Sequence, residues 1–329
     1  MASLHTNLLT FGPILKPFIN TNSNMDAAGQ KTLKIGTRGS KLALWQAYFL
    51  QDQLRQVETE SELVIIKTKG DKIQHLGFDK MEGKGFFTKE IEDHLLRGDI
   101  DVAVHSMKDL PTTMPEGLAI SAVSYRADPS DCLLISPSAF DKTKLLKLKS
   151  DAIVGTSSAR RKAQLLDFRP DFQLKDIRGN VPTRIQKLRE GQFDAIMLAS
   201  AGIARLEIDV SEFEVIHFDP REFVPAPAQG VLAFQVNKAD TPTRRILQKI
   251  HDFSVANVVK VERKILQLLD GGCQMPVGIY CKQDQLSNYH VWAAIADSWD
   301  SPLKTVQLSS STSAGLAEKV VEALNEKQA

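Results

Sequence analysis

The sequence predicts an α/β protein with two lobes built on mixed, mainly parallel sheets, followed by a small C-terminal α+β domain. Three observations lead to this fold class. Apolar strands alternate with amphipathic helices from residue 33 to about residue 205, which is typical of parallel sheets with helical crossovers. A proline-rich stretch at 222–234 interrupts that alternation. Three later segments alternate apolar and polar residues, as an antiparallel sheet does.

The first lobe begins with a strand, a turn and a helix. LKIG (33–36) is the strand, TRGS is the turn, and residues 41–57 carry an apolar stripe of helical period. A second strand, LVIIKT (63–68), is followed later by the helix TKEIEDHLLRGD and the buried strand IDVAVH. Residues 71–87 carry charges and glycines without a period, which predicts a long mobile loop.

The second lobe repeats this alternation. AIVG, FQLKDI and DAIMLAS are extended, and TSSARRKAQLLDF and GNVPTRIQKLREG are helical, with Ser or Thr caps before the first and Pro182 in the first turn of the second. Residues 222–234 predict a stiff crossover that suits a hinge between the lobes. A helical stretch over about 240–269, the strands IYCKQ, YHVWAAIAD and KTVQLSS, and the helix AGLAEKVVEALNEK predict the third domain.

Composition argues against several classes of partner. The formal net charge is +1, so nothing points to a nucleic-acid partner, and no apolar run approaches the roughly 20 residues of a membrane span. Three cysteines without metal-ligand spacing predict free thiols in a reducing compartment and no metal site. No GxxxxGK[ST] motif occurs, which disfavours nucleotide binding. Residues 1–31 predict a disordered extension, with an organelle transit peptide as the alternative.

Basic residues collect where strands end. Residues 151–205 hold ten Lys and Arg against six Asp and Glu. Ser157 and Ser158 are predicted caps of a helix whose first turn bears Arg160 and Arg161, so backbone donors and guanidinium groups share one anion-attracting end. Four further arginines follow other strands: Arg38, Arg178, Arg184 and Arg205. Because guanidinium groups bind carboxylates bidentately, the sequence predicts a ligand with several carboxylates or phosphates.

Two single residues are candidates for chemistry. Asp109, beside Lys108, stands in HSMKDLPT (105–112), which directly follows the strand IDVAV, where a carboxylate is partly desolvated and still reaches a ligand. Cys273 stands in the loop DGGCQMPVG, whose glycines and proline predict a thiol that is presented rather than packed. Two classes fit these residues: a binding protein for polyanionic small molecules, or an enzyme that tethers them covalently at Cys273.

Seven motifs carry a resemblance to a known family: GTRGSKLALWQA, GKGFFTKEIE, DVAVHSMKDLPT, GTSSARRKAQL, IRGNVPTRIQKL, PAPAQG and ERKILQLLDGGCQMPVG. In order and spacing they resemble the porphobilinogen deaminases, also called hydroxymethylbilane synthases. The resemblance implies two periplasmic-binding-protein-like lobes, with residues 32–126 and 228–248 in the first and 127–227 in the second. Residues 249–329 are then the cofactor-attachment domain.

The resemblance also implies a reaction. A dipyrromethane cofactor, made from two substrate units, is joined through a thioether to Cys273. Four porphobilinogen molecules are added head to tail with release of ammonia, and hydrolysis frees the linear tetrapyrrole hydroxymethylbilane for heme and chlorophyll biosynthesis. The enzyme is expected to be a cytoplasmic, monomeric transferase whose partner is the small molecule porphobilinogen, without a nucleic-acid or membrane partner.

Roles follow residue by residue from the matching motifs. Asp109 and Lys108 are the expected catalytic residues, with Asp109 stabilising the positive charge left when ammonia departs. The expected cofactor-binding residues are Cys273, Asp109, Lys108, Ser157, Ser158, Arg160, Arg161, Arg178, Gln229 and Gly230. The expected substrate-binding residues are Arg38, Ser40, Gln46, Lys84, Arg178, Arg184 and Arg205. The chain departs from the family pattern at Ser130, Ala204, Gln235 and Asn237.

Overall fold

The computed structural model describes residues 31–68, 88–269 and 275–326. Within these ranges the strands are β1 Leu33–Thr37, β2 Ser61–Ile65, β3 Val102–Ser106, β4 Leu118–Val123, β5 Asp131–Ile135, β6 Ile153–Gly155, β7 Gln173–Lys175, β8 Ala195–Ala199, β9 Glu214–His217, β10 Leu232–Asn237, β11 Val277–Gln283, β12 Tyr289–Ile295 and β13 Lys304–Ser310. The helices are α1 Lys41–Gln56, α2 Lys89–Arg97, α3 Ala159–Phe168, α4 Val181–Arg189, α5 Ser200–Leu206, α6 Thr241–Gln248, α7 Phe253–Leu268 and α8 Leu316–Glu326.

The strands form two five-stranded sheets and one three-stranded sheet, in the orders β2-β1-β3-β10-β4, β7-β6-β8-β5-β9 and β11-β12-β13. In the first sheet β10 runs antiparallel to both of its neighbours, and the other four strands share one direction. In the second sheet β5 is the antiparallel strand in the same position. The third sheet is antiparallel throughout. The predicted fold class is confirmed.

The two large sheets share one topology, which the sequence did not reveal as a repeat. In each sheet the strand in the fourth position comes, in sequence, directly after a strand of the other sheet. Strand β5 of the second sheet follows β4 of the first, and β10 of the first sheet follows β9 of the second. The chain therefore crosses between the sheets twice, through residues 124–130 and 218–231, and both crossovers adjoin the candidate site.

Several sequence predictions of secondary structure were wrong in detail. Strands β4, β5 and β9 were not predicted, and the second strand begins two residues earlier than LVIIKT. The helical stretch over 240–269 is two helices, because Asp240 and Asp252 each cap a separate one through bonds to Thr243 N and Val255 N. The end of the predicted hinge segment 222–234 belongs to β10, an inner strand of the first sheet.

The crossover that precedes β10 is held from both sides. The backbone of Val224 is bonded to Gln164, whose Nε2 donates to Val224 O at 2.9 Å and whose Oε1 accepts from Val224 N at 2.6 Å. Ile279 N of β11 donates to Pro225 O at 2.9 Å. A Cβ on Gly278 would lie 2.4 Å from Val224 O, so only glycine allows the third sheet to approach this closely. The three sheets thus meet at this crossover.

Across the described ranges of the chain, no helix combines the length and the apolar character that a membrane crossing requires.

Candidate functional site

Asp109 lies at the end of β3, in a single turn of 3-10 helix formed by Met107–Asp109. The turn is fixed by Met107 N, which donates to Val231 O at 2.9 Å, and by Leu110 N, which donates to Met107 O at 3.2 Å. Asp109 is exposed to solvent. Desolvation raises the pKa of its carboxyl, and the charges of Lys108 and Arg38 oppose that rise. Two cationic side chains, Lys108 and Arg38, therefore act on this carboxylate.

The Lys108 side chain begins a series of buried hydrogen bonds. Its Nζ donates to Gln229 Oε1 at 3.2 Å, and Gln229 Nε2 donates in turn to Asp131 Oδ1 at 3.0 Å and to Pro129 O at 2.8 Å. Burial lowers the pKa of Lys108 to about 8, although the carboxylates of Asp109 and Asp131 act in the opposite direction. The ammonium group is thus held beside Asp109 by the crossover that Gln229 belongs to.

Asp131 is the centre of this network. It is fully buried at the start of β5 and forms ion pairs with Arg160 and Arg161, each at 2.7 Å. Burial alone would raise the pKa of Asp131, but the two guanidinium groups outweigh it and hold the pKa well below its ordinary value. The guanidinium groups are anchored further, by Arg160 Nη1 on Val224 O at 2.9 Å and Arg161 Nη1 on Met197 O at 3.2 Å. Sequence reasoning placed both arginines at the site but missed the carboxylate that orients them.

The serines that precede α3 play two different parts. Ser158 is the N-cap, and its Oγ accepts from Arg161 N. Ser157 does not cap the helix, so that prediction was wrong. Its Oγ donates to Ile177 O at 2.8 Å and accepts from Ile177 N at 3.1 Å, which ties the end of β6 to the segment after β7. Arg178 therefore follows a residue that is fixed to Ser157.

Arg205 joins the second lobe to the first. Its Nη2 donates to Gly230 O at 2.7 Å, and its guanidinium carbon lies 5.3 Å from the ring centroid of Trp45 on α1. Gly230 adopts φ +90°, and a Cβ there would lie 2.5 Å from Ala127 O. Only glycine fits this point, where the two crossovers touch. Within the described residues Arg205 Nε is buried and has no hydrogen-bond partner.

The remaining predicted residues are spread along the two lobes. Arg184 Nε donates to Gly179 O at 2.8 Å, and burial together with Arg161 lowers the pKa of Arg184 to about 10. Ser40 caps α1 through Ala43 N, and Gln46 Nε2 donates to Ser106 Oγ at 2.8 Å, next to the Asp109 turn. Lys84 and Cys273 lie outside the described residues.

Helix α7 connects the third sheet to the site through Glu262, which sequence reasoning did not select. This fully buried carboxylate accepts from Arg126 Nη1 at 2.6 Å, Ala228 N at 2.6 Å and Cys281 N at 2.7 Å. It therefore holds both crossovers and β11 at one point. The signal available in the sequence was a single acidic residue within the apolar stripe of a helix, in VVKVERKIL.

Three of the positions that depart from the family pattern have identifiable partners. Gln235 Oε1 accepts from His105 Nε2 at 2.9 Å, and its Nε2 donates to Glu92 Oε1 at 3.0 Å. Burial lowers the pKa of His105 to about 4, so the ring is neutral. Its Nε2–H donates the hydrogen bond to Gln235 Oε1. Ser130 Oγ lies 2.7 Å from Ser200 Oγ. Asn237 Oδ1 accepts from Ala239 N at 3.0 Å, between β10 and α6. Nothing in the structure explains Ala204.

The site therefore joins one exposed carboxylate, a lysine and several arginines with distinct partners. A site that combines arginines with an exposed carboxylate can bind an acidic ligand and stabilise positive charge that develops on it. This donor set fits a group that bears several carboxylates. It also fits the polyanion predicted from the sequence.

Comparison with known proteins identifies the family. A family model described as porphobilinogen deaminase, dipyromethane cofactor binding domain, matches residues 33–245. A porphobilinogen deaminase of Maridesulfovibrio salexigens is 46% identical over 252 residues, which cover 76% of this chain and 80% of that protein. One of Chlorobium phaeobacteroides is 43% identical over 269 residues, covering 81% and 83%.

Solved structures give more distant likenesses. A periplasmic binding protein of Salmonella typhimurium with high arginine specificity has a TM-score of 0.39 and 11% identity, covering 69% of this chain and 94% of that one. The GluR0 ligand-binding core in complex with L-glutamate has a TM-score of 0.38 and 12% identity, covering 71% and 97%. On the family match and the identities to its curated relatives, the chain belongs to the porphobilinogen deaminase family.

Proposed function

We propose that this chain is a transferase that condenses four porphobilinogen molecules head to tail on a dipyrromethane cofactor, releases ammonia at each addition, and hydrolyses the product to hydroxymethylbilane. The observation that carries the proposal is the Asp109 turn. An exposed carboxylate follows a buried strand, and the charges of Lys108 and Arg38 act on it. This arrangement suits a reaction in which positive charge develops beside acidic substituents.

The cofactor is proposed to be attached through a thioether to Cys273. Its chemistry, when bound, is to offer a pyrrole carbon as the point of chain growth. Arg160, Arg161 and Arg178, with Ser157, Ser158, Gln229 and Gly230, are the proposed residues that hold its carboxylates and backbone. The fit is supported by the donor set, because Ser157, Ser158, Arg160 and Arg161 lie together at the start of α3 and guanidinium groups bind carboxylates.

Asp109 is proposed to stabilise positive charge on the reacting carbon. When ammonia leaves porphobilinogen, the carbon that bore it becomes cationic, and the Asp109 carboxylate stabilises that charge. The same carboxylate accepts a hydrogen bond from a pyrrole N–H and so orients the ring.

Lys108 is proposed to bind a substrate or cofactor carboxylate beside Asp109. Its position is set by Gln229, and Gln229 is set by Asp131. Arg38, Ser40, Gln46, Lys84, Arg184 and Arg205 are the proposed residues that bind the acetate and propionate groups of the growing chain. Arg205 and Gly230 lie at the junction of the lobes, which suits a ligand that spans both.

The division of the chain is also a proposal. We take residues 32–126 with 228–248 as one lobe, 127–227 as the second and 249–329 as the attachment domain, with 1–31 as an extension. The two crossovers support the division between the first and second lobes. We further propose a monomer in a reducing, cytoplasmic setting, and free buried thiols at Cys132 and Cys281 are in keeping with it.

Intact-mass measurement of the full chain, produced in cells that make porphobilinogen, tests the proposal. We expect the added mass of two pyrrole units on the wild type and on Cys132→Ser, and the bare mass on Cys273→Ser. The wild type should also release ammonia from porphobilinogen. A bare wild-type chain that binds porphobilinogen without releasing ammonia would instead identify a binding protein.

A further inference from the structure

Arg263 of α7 reaches across to the turn that carries Asp109. Its Nη1 donates to Met107 O at 3.3 Å and to Leu110 O at 3.1 Å, and its Nη2 donates to Pro111 O at 2.6 Å. These three carbonyls bracket Asp109 on both sides. The guanidinium is half-buried, and burial lowers the pKa of Arg263.

The turn has few other attachments of its own backbone. A single 3-10 turn has poorer hydrogen-bond geometry than an α-helix, and this one has one internal bond, from Leu110 N to Met107 O. The planar guanidinium spreads its donors over two nitrogens, so it can fix carbonyls that point in different directions. A lysine presents its donors from one point and cannot match that spread.

We propose that Arg263 is a positioning residue, which fixes the Asp109 turn against α7. The C-terminal end of α7 leads in sequence into the segment that holds Cys273. One side chain thus sets the position of the catalytic carboxylate relative to the helix that precedes the cofactor-bearing residue. The effect on catalysis rests on the proposed role of Asp109, whereas the effect on the turn does not.

The consequence for the reaction is geometric. Asp109 is useful only if its carboxylate lies close to the carbon that becomes cationic, and a displacement of about 1 Å can reduce a rate about 100-fold. Arg263 contacts the backbone on both sides of Asp109, so its loss frees the turn without changing the carboxylate itself. A chemically intact but misplaced Asp109 is the expected result.

Arg263→Lys in the full-length holoenzyme tests this, with Arg244→Lys on α6 as the matched control, since exposed Arg244 also donates to a carbonyl, Lys238 O. We expect hydrogen exchange at the Leu110 amide to become about tenfold faster, while the β3 amide of Val104 is unchanged. We expect kcat to fall about 10- to 100-fold with KM nearly unchanged. Cofactor mass and melting temperature should stay close to wild type, and the control should match wild type throughout.

Unchanged exchange at Leu110 in Arg263→Lys would overturn the inference, whatever the activity. A loss of kcat that tracks a general fall in melting temperature, with exchange raised across β3 as well, would assign Arg263 to stability alone and also overturn it. Arg263→Gln, which keeps a donor and removes the charge, repeats the comparison if the lysine variant does not fold. Failure of the proposed function would show separately, as a wild-type chain that binds porphobilinogen without releasing ammonia, and failure of the proposed role of Asp109 as an Asp109→Asn variant that stays active.

Discussion

Asp131→Asn removes the charge at the centre of the site network while keeping the shape of the side chain. Asp131 is fully buried, pairs with two guanidinium groups and accepts from Gln229 Nε2. Breaking a buried ion pair by removing one partner costs about 3–5 kcal/mol, because the remaining charges stay buried and uncompensated. Because a loss of 1 kcal/mol lowers the melting temperature of a large domain by about 2–4 °C, the melting temperature should fall by about 10 °C.

The pH dependence of that loss gives a second measurement. The folded pKa of Asp131 lies below the unfolded value, so its stabilising contribution is complete above about pH 4 and is lost as pH falls through the folded pKa. The difference in melting temperature between wild type and Asp131→Asn should therefore be constant from pH 5 to 8, within about a degree, and shrink below pH 4.

Thermal unfolding by circular dichroism is the assay, and Glu212→Gln is the control. Glu212 pairs with Arg189 at 2.6 Å, but the two side chains are 48% and 38% exposed, so its loss should cost less than about 1 kcal/mol. If Asp131→Asn melts as close to wild type as Glu212→Gln does, Asp131 is not the charge that holds Arg160 and Arg161, and the reasoning is refuted.

Three further predictions concern single contacts of the site. Arg160→Leu and Arg161→Leu should yield chain without cofactor mass, whereas Arg38→Leu and Arg205→Leu should keep the cofactor and stall during elongation; the same mass spectrum for all four would contradict the division. Gly230→Ala should lower the free energy of unfolding, measured in urea, by about 1–3 kcal/mol, which is more than Gly191→Ala should. At Gly191 φ is +72° but no atom lies within 4 Å of the added Cβ, so equal losses would show that the contact with Ala127 O does not matter. The pH profile of kcat/KM should fall on its alkaline side near the lowered pKa of Lys108, about 8. This fall should move to higher pH in Lys108→Arg, and an unmoved profile would assign the titration to another group.

Local sequence patterns predicted the elements that have a clear period or cap, and missed those without one. Strand β5, DCLLI, is buried along its whole length, so it lacks the alternation that marks a half-exposed strand. The division of 240–269 into two helices depended on Asp252, whose capping bond competes with continued helix. The antiparallel fourth strand of each sheet joins residues that are distant in sequence, and no local pattern encodes such a pairing.

The same distinction holds for the site. Asp109, Lys108 and the arginines could be selected as candidates from the sequence, because strand ends in α/β sheets converge and arginine at those ends is informative. Asp131 and Glu262 were not, since each acts by pairing with residues that are 29 to 136 positions away. A buried carboxylate looks like any other acidic residue until its partners are known. The positioning contact of Arg263 is of the same kind.

The central claim is that the Asp109 carboxylate stabilises positive charge at the growing end. Steady-state kcat of Asp109→Asn, with cofactor content checked by intact mass and exposed Asp209→Asn as the control, tests it most directly. We expect normal cofactor content and a fall in kcat of about 100-fold or more, because the amide keeps the shape and removes the charge. Retention of more than about a tenth of wild-type kcat, equivalent to a loss below about 1.4 kcal/mol, would contradict it.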